Sequence, residues 1–173
     1  MKKEKTVNES RTEMTEMIMP NDANPLGNLM GGNLMRWMDI AGGVCAGKHC
    51  EAHVVTASVD HISFTAPIHV GDVITLTATV SRAFNSSVEV YLEVHVSNIK
   101  GKNTMKSNHA YITFVALSDE EKKPQKVPAL KPITEEEKKL YESSHRRREL
   151  RLILSGRMKP KDASDLKAFF SKL

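Results

Sequence analysis

The sequence predicts an α+β protein, in which one long helix is enclosed by an antiparallel sheet and followed by a helical C-terminal extension. Three observations predict it. Residues 33–49 are apolar nearly all the way round, with Leu34, Met35, Trp37, Met38, Ile40, Ala41, Val44, Cys45 and Ala46, so this helix belongs inside something. Residues 53–117 are dominated by β-branched residues in alternation, which supplies the wrapping. Residues from 134 onward open on Thr134 followed by Glu135, Glu136 and Glu137, a helix start with acids in its first turn.

Taken in order, residues 9–19 scatter Met14, Met17, Ile18 and Met19 among Thr and Glu, which suits an edge strand. Residues 20–32 form an irregular loop, because Pro20 and Pro25 fix φ while Asn21, Asp22, Asn24, Gly27 and Asn28 favour turns. The buried helix follows over 33–49. Residues 54–64 read as a strand ended by Thr65-Ala66-Pro67, with a turn at Val70-Gly71-Asp72. Val73 to Val80 places Ile74, Leu76, Ala78 and Val80 on one face, and Asn85-Ser86-Ser87 turns the chain back. Val88, Val90, Leu92, Val94 and Val96 alternate cleanly, Lys100-Gly101-Lys102-Asn103 is a hairpin connection, and 105–117 returns with Ala110, Ile112, Phe114 and Ala116 inward. Residues 119–133 carry Pro124, Pro128 and Pro132 and read as an extended linker with little hydrophobic material. A helix is expected from 134 to about 154, stopped by Gly156, and then a short segment over 162–170 with an N-cap at Asp162 or Ser164 and an apolar face of Leu166, Phe169 and Phe170. The expected organisation is a core domain over 1–118, the linker over 119–133 and a basic extension over 134–173, with no internal repeat.

A chain of 173 residues fits one domain of ordinary size plus an appendage. No apolar run reaches the roughly 18 to 20 residues of a membrane-spanning helix, and the basic start MKKEKT leads into ESRTEM rather than an apolar signal core. A soluble, cytoplasmic protein is expected. The net charge of +4 is uneven: residues 1–119 hold 10 basic and 12 acidic side chains, residues 120–173 hold 15 and 9. A solvated helical face explains that tail, and an anionic partner is the alternative. Cys45 and Cys50 lie too close in sequence for a disulfide framework, so reduced thiols are expected.

Asp39 carries the most information about chemistry, since a carboxylate inside an apolar helix needs a partner or a task. Gly42 and Gly43, at i+3 and i+4, fall on its face and would leave room for a ligand. An ion pair with Arg36 and ordinary close packing at the glycines is the plain alternative. Asn28 offers an amide to orient water or a carbonyl, or is simply a turn residue. Gly31 and Gly32 allow close approach to unpaired N–H groups at the helix start, which can polarise a carbonyl oxygen. Cys45, His49, Cys50 and His53 match no common zinc spacing, and no phosphate loop or dinucleotide fingerprint occurs.

Met19-Pro20-x-Asp22-x-Asn24, Gly27-Asn28-x-x-Gly31-Gly32 and Trp37-Met38-Asp39-x-Ala41-Gly42 are followed by Val55-Thr56-Ala57-Ser58-Val59-Asp60, Phe64-x-x-Pro67-Ile68-x-x-Gly71-Asp72 and Ser86-Ser87-x-Glu89-Val90. In this order, across about residues 8–118, the chain resembles the hotdog-fold acyl-CoA thioesterases, and its tail is similar to C-terminal extensions of that family. The resemblance implies a curved sheet around the central helix and a homodimer whose sheets join edge to edge, within a dimer-based tetramer or hexamer. It implies sites at the subunit interface, with Asp39 as general base or nucleophile and Asn28 orienting water or the thioester. Gly31 or Gly32 would polarise the carbonyl, and the phosphates of coenzyme A would lie near Asn85, Ser86 and Ser87, with Arg82 a further candidate. No metal or prosthetic group is required, coenzyme A being part of substrate and product. Neither nucleic acid nor membrane is an expected partner.

Two other classes compete with hydrolysis. A regulatory module that binds acyl-CoA without cleaving it would not need Asp39 and Asn28 intact, and a DNA-binding version would want a helix-turn-helix that is missing. A hydratase on the same fold would need a His near the helix start, and residues 20–48 contain none.

Overall fold

Alternation on three consecutive segments decides the architecture. The computed structural model describes residues 3–60, 62–64 and 66–171. Along them run β1 (Glu4–Thr6), the single turn α1 (Val7–Ser10), β2 (Thr12–Met17), α2 (Gly31–Cys50), β3 (His53–Asp60), β4 (Val73–Ala83), β5 (Ser87–Ser97), β6 (Met105–Leu117), β7 (Ala129–Lys131), α3 (Glu135–Leu154) and α4 (Ser164–Phe170). The inward residues Ile74, Leu76, Ala78 and Val80 of β4, Val88, Val90, Leu92 and Val94 of β5, and Ala110, Ile112, Phe114 and Ala116 of β6 are all buried. They form one apolar face of a five-stranded antiparallel sheet in the order β2-β4-β5-β6-β3, and α2 lies on it.

Differences from the sequence expectations have local causes. The edge strand is shorter than 9–19, because Thr6 and Glu9 close a capping box, with the Thr6 N–H donating to Glu9 Oε2 at 2.7 Å, and wind 7–10 into a helical turn. α2 begins two residues earlier than expected, at Gly31, and it is not enclosed all round. Leu34, Trp37, Met38, Ala41, Cys45 and Ala46 are buried against the sheet, whereas Met35, Ile40 and Val44 are exposed on the far side, because a sheet can curl round only one flank of a helix. At its C-terminal end the Lys5 ammonium donates to the Lys48 carbonyl at 2.6 Å and pairs with Glu51 at 2.8 Å, where a cation suits the helix dipole.

β3 ends at Asp60 rather than Phe64. It is an edge strand with a bulge between Thr56 and Ser58, and Asn108 Nδ2 holds the Ser63 carbonyl away from the ladder. His61 and Thr65, expected in this strand and the turn after it, lie outside the described residues. Most of the expected linker is instead a strap on the first unit. Its Gln125 N–H donates to the Ala116 carbonyl and its Val127 N–H to the Asn85 carbonyl, Val127 and Leu130 are buried, and β7 pairs in parallel with β1. The chain accordingly divides into two units after Lys131.

In the second unit α3 starts as its sequence demands, with Thr134 Oγ1 accepting from the Glu137 N–H at 3.2 Å, and it is followed by Gly156 at φ 71°. α4 is capped by neither Asp162 nor Ser164. The Glu149 carboxylate of α3 takes its free N–H groups, from Asp165 at 3.3 Å and Leu166 at 2.8 Å, so a long-range acid replaces a local cap.

Candidate active site

The loop before α2 is built by its own side chains. Asn24 Oδ1 accepts from the Leu26 and Asn28 N–H groups at 2.9 and 3.2 Å, and Gly27 takes φ 76°, which makes a compact turn. Asn28 is fixed by backbone bridging to His69, and the Leu29 N–H donates to the Ile68 carbonyl at 2.7 Å. Asp22 ties the loop to the helix, accepting from Asn33 Nδ2 at 3.3 Å and from the Met19 N–H at 3.0 Å.

These constraints leave the Asn28 side chain lining a cavity of about 350 Å³ together with Gly31, Leu34, Phe64, Ile68 and Asn108. Among the described residues nothing accepts from the N–H groups of Gly31 and Gly32, as expected for the first turn of a helix. No heavy atom lies within 4 Å of where a Cβ at Gly32 would stand, so that side is open to a ligand oxygen. Asn28 and Gly31 therefore line one cavity, and Gly32 is the next residue of the helix.

Asp39 is not in that cluster. It lies eight residues beyond Gly31 in α2, roughly 12 Å along the axis. It is exposed rather than buried, it makes no ion pair with Arg36, and its Oδ1 accepts from Thr56 Oγ1 of β3 at 2.6 Å. Of the two readings of Gly42 and Gly43, room for a ligand or close packing, Gly42 takes the second. A Cβ at Gly42 would stand 3.0 Å from the Phe114 ring and 3.6 Å from Leu92 Cδ1, and one at Gly43 would be 3.8 Å from Phe114. Both glycines turn toward the sheet, and Gly42 serves close packing.

Phe114 pairs in register with Val88 on one side and Thr56 on the other. The Asn85-Ser86-Ser87 turn is thus at the Asp39 end of the sheet, with Ser87 about 10 Å from β3 across two strand spacings. Backbone hydrogen bonds from Ala116 and Val127 fix its carbonyls, and Arg82 follows a bulge at Ser81 just before it.

Cys45 and Cys50 are buried free thiols, pushed up by that burial to about 12 and about 11. His49 is fully buried with Nε2 3.0 Å from the Pro128 carbonyl, and burial lowers its pKa below the ordinary 6.5. Among the described residues no cluster of His, Cys, Asp and Glu could hold a metal ion, and no helix is long and apolar enough to cross a membrane.

Sequence reasoning missed three site residues. Thr56 looked like an ordinary strand residue, and only the register with α2 reveals it. Phe64 sat within a supposed strand. Asn108 was detectable, because it occupies the inward phase of β6 two residues before Ala110, where an amide interrupts an apolar series.

Residues 26–101 match the family model of the thioesterase superfamily. The chain is 34% identical over 139 residues to a Bacillus subtilis acyl-CoA thioester hydrolase, YkhA, covering 80% of each. It is 33% identical over 144 residues to mouse acyl-coenzyme A thioesterase 11, covering 83% of this chain but spanning only 24% of that longer protein. Among solved structures, the acyl-CoA hydrolase of Staphylococcus aureus, in complex with butyryl coenzyme A and coenzyme A, superposes with a TM-score of 0.82 at 35% identity, covering 88% of this chain and 94% of that one. A hexameric acyl-CoA thioesterase gives 0.85 at 37% identity, covering 88% and 97%. An acyl-CoA hydrolase from Bacillus cereus gives 0.84 at 30% identity over 99% of both chains, extension included.

Proposed function

The chain belongs to the thioesterase superfamily, among the hotdog-fold acyl-CoA thioesterases, and on that premise we propose that it hydrolyses acyl-CoA to a free carboxylic acid and coenzyme A. The observation that carries the assignment of residues is the exposed Asp39 carboxylate held by the Thr56 hydroxyl at 2.6 Å. A carboxyl group steered by a neutral donor, with no ion-pair partner among the described residues, is available to act as a base or nucleophile. The S. aureus hydrolase has been studied as alanine variants at an aspartate, an asparagine and a threonine; the spacing of its aspartate and threonine is that of Asp39 and Thr56, whereas the spacing of its asparagine is that of Asn24, which makes Asn24 a second candidate beside Asn28.

As base, Asp39 takes a proton from water, whose oxygen attacks the thioester carbon. As nucleophile it forms a mixed anhydride that water then opens. In both, the carbonyl oxygen gains negative charge that the N–H groups of Gly31 and Gly32 stabilise, the carbon–sulfur bond breaks, and the coenzyme A thiolate leaves and takes up a proton. Asn28 orients the water or the thioester.

One chain holds half of this constellation. The working form is a homo-oligomer built on a dimer that joins β3 to β3, so that Asn28 of one protomer meets Asp39 of its partner. Support comes from β3 lying at a sheet edge with Val55 and Val59 exposed, beside Met35, Ile40 and Val44 of α2. The Asn85-Ser86-Ser87 turn and Arg82 hold the phosphates of coenzyme A.

Purified protein assayed with a chain-length series of acyl-CoAs and a thiol-trapping reagent tests this. Turnover is expected with at least one chain length, and Asp39→Ala or Asn28→Ala should lower kcat by about 10²- to 10⁴-fold. No turnover at any length, or full activity in Asp39→Ala, refutes it. Tight acyl-CoA binding without turnover would instead identify a sensor.

A further inference from the structure

We infer that Phe64 sets how long an acyl group the site accepts, with Asn108 bracing it. This rests on the thioesterase reading and names a specificity-determining residue of that same site. The Phe64 ring covers the first turn of α2: its Cζ and Cε1 stand 3.2 and 3.3 Å from where a Cβ at Gly31 would be, so a residue without a side chain is what lets the ring lie there. The same turn carries the two N–H groups without acceptors. Phe64 is therefore the cavity wall nearest the groups that polarise the carbonyl, Leu34 and Ile68 continue the apolar lining, and the Gly32 side stays open for entry.

Phe64 is 57% exposed and lies beyond the end of β3, so its position needs a brace. Asn108 supplies one from β6. Its Nδ2 donates to the carbonyl of Ser63, the residue before Phe64, and its Oδ1 accepts from Ser107 Oγ at 2.6 Å. Ser107 is the extra residue of the bulge opposite Val94 and His95, and both Ser107 and Asn108 are buried. With both ends of its amide engaged by protein, Asn108 is a positioning residue rather than a group that binds substrate.

On one chain the cavity is about 350 Å³ and open to one side, the side the proposed assembly gives to a partner, so what this chain itself fixes is the position of the Phe64 wall and not the volume of the finished site.

The test compares kcat/KM for acetyl-, butyryl-, hexanoyl-, decanoyl- and palmitoyl-CoA in the wild type, Phe64→Ala, Phe64→Trp and Asn108→Ala. Phe64→Ala should raise the palmitoyl-to-butyryl ratio by about tenfold or more, the scale on which a pocket reads a methylene or two. Phe64→Trp should move the optimum shorter, and Asn108→Ala should move the ratio in the same direction as Phe64→Ala by a smaller factor. A merely structural role would lower every chain length alike, and a uniform loss or unchanged ratios in both Phe64 variants would overturn the inference. If the wild type turns over none of these substrates, the thioesterase reading fails by itself. The length inference is then decided by Kd for non-hydrolysable thioether analogues of the same chains: a shifted profile in Phe64→Ala supports it and an unchanged one overturns it.

Discussion

Thr56→Val separates orientation of Asp39 from its mere presence. The substitution keeps the shape of the side chain and deletes the hydroxyl that donates to Asp39 Oδ1 at 2.6 Å. A hydrogen bond to a charged group contributes about 1.5 to 3 kcal/mol when water is excluded, and less where water can replace it. In an isolated chain the pair is exposed and the loss should be small. With a partner subunit and substrate over the site, water is excluded and most of the range applies. Since about 1.4 kcal/mol is a factor of ten, kcat should fall roughly 10- to 100-fold. KM should hold within about threefold, because the hydroxyl serves the carboxylate and not the substrate. Thr56→Ser, which keeps the donor, should stay within about threefold of wild type. Stopped assays under saturating acyl-CoA, with the melting temperature as a control for folding, measure both parameters. Unchanged kcat in Thr56→Val, or a rise in KM alone, would refute the role assigned to the pair.

Other consequences follow from packing and burial. Gly42→Ala should destabilise the protein by about 1 to 3 kcal/mol in urea unfolding, since the new Cβ would meet the Phe114 ring at 3.0 Å, and an equally stable variant would show that the ring yields freely. His49, whose folded-state pKa is depressed by burial below the ordinary 6.5, is neutral in the folded protein while the unfolded chain takes up a proton below that value. Its contribution to stability is therefore complete above 6.5 and falls with pH below it, by up to about 1.4 kcal/mol per pH unit. Unfolding free energies measured down to about pH 5 should show this slope in the wild type and lose it in His49→Gln. Cys45 and Cys50, buried and pushed up to about 12 and about 11, should react with a maleimide at neutral pH only after denaturant is added. Rapid labelling of the native protein would contradict that burial.

The sheet was legible because period two leaves no freedom: each inward residue read from Val73 to Ala116 is buried where the alternation puts it. The turn before α2 and the unpaired N–H groups of its first residues were legible for a similar reason, since both are local properties. What sequence could not supply is register across distance. Thr56 meets Asp39 because β3 runs beside α2 with a bulge after Thr56, and nothing within either segment encodes that meeting. The two readings of Gly42 stayed open for the same reason, as helical spacing puts it near Asp39 but only the sheet reveals that Phe114 packs against it. The strap over 124–131 was underestimated because two buried residues, Val127 and Leu130, suffice to dock a segment whose backbone already pairs with Ala116, Asn85 and β1.

The most instructive mismatch is α2 itself, apolar nearly all round in sequence yet covered on one flank only. A reacting carbon must come within about 3 Å of the groups that act on it. Asp39 and the Gly31 N–H are roughly 12 Å apart along one helix, so a single chain cannot bring both to one thioester. A second copy, joined across the open edge of β3, meets both needs at once under the proposed assembly. Its α2 covers Met35, Ile40 and Val44, and its Asp39 faces the loop that carries Asn28. On that proposal the apolar residues left exposed on one chain and the separation of Asp39 from the Gly31 N–H have one cause: a helix covered by its own sheet on one side and by a second copy on the other.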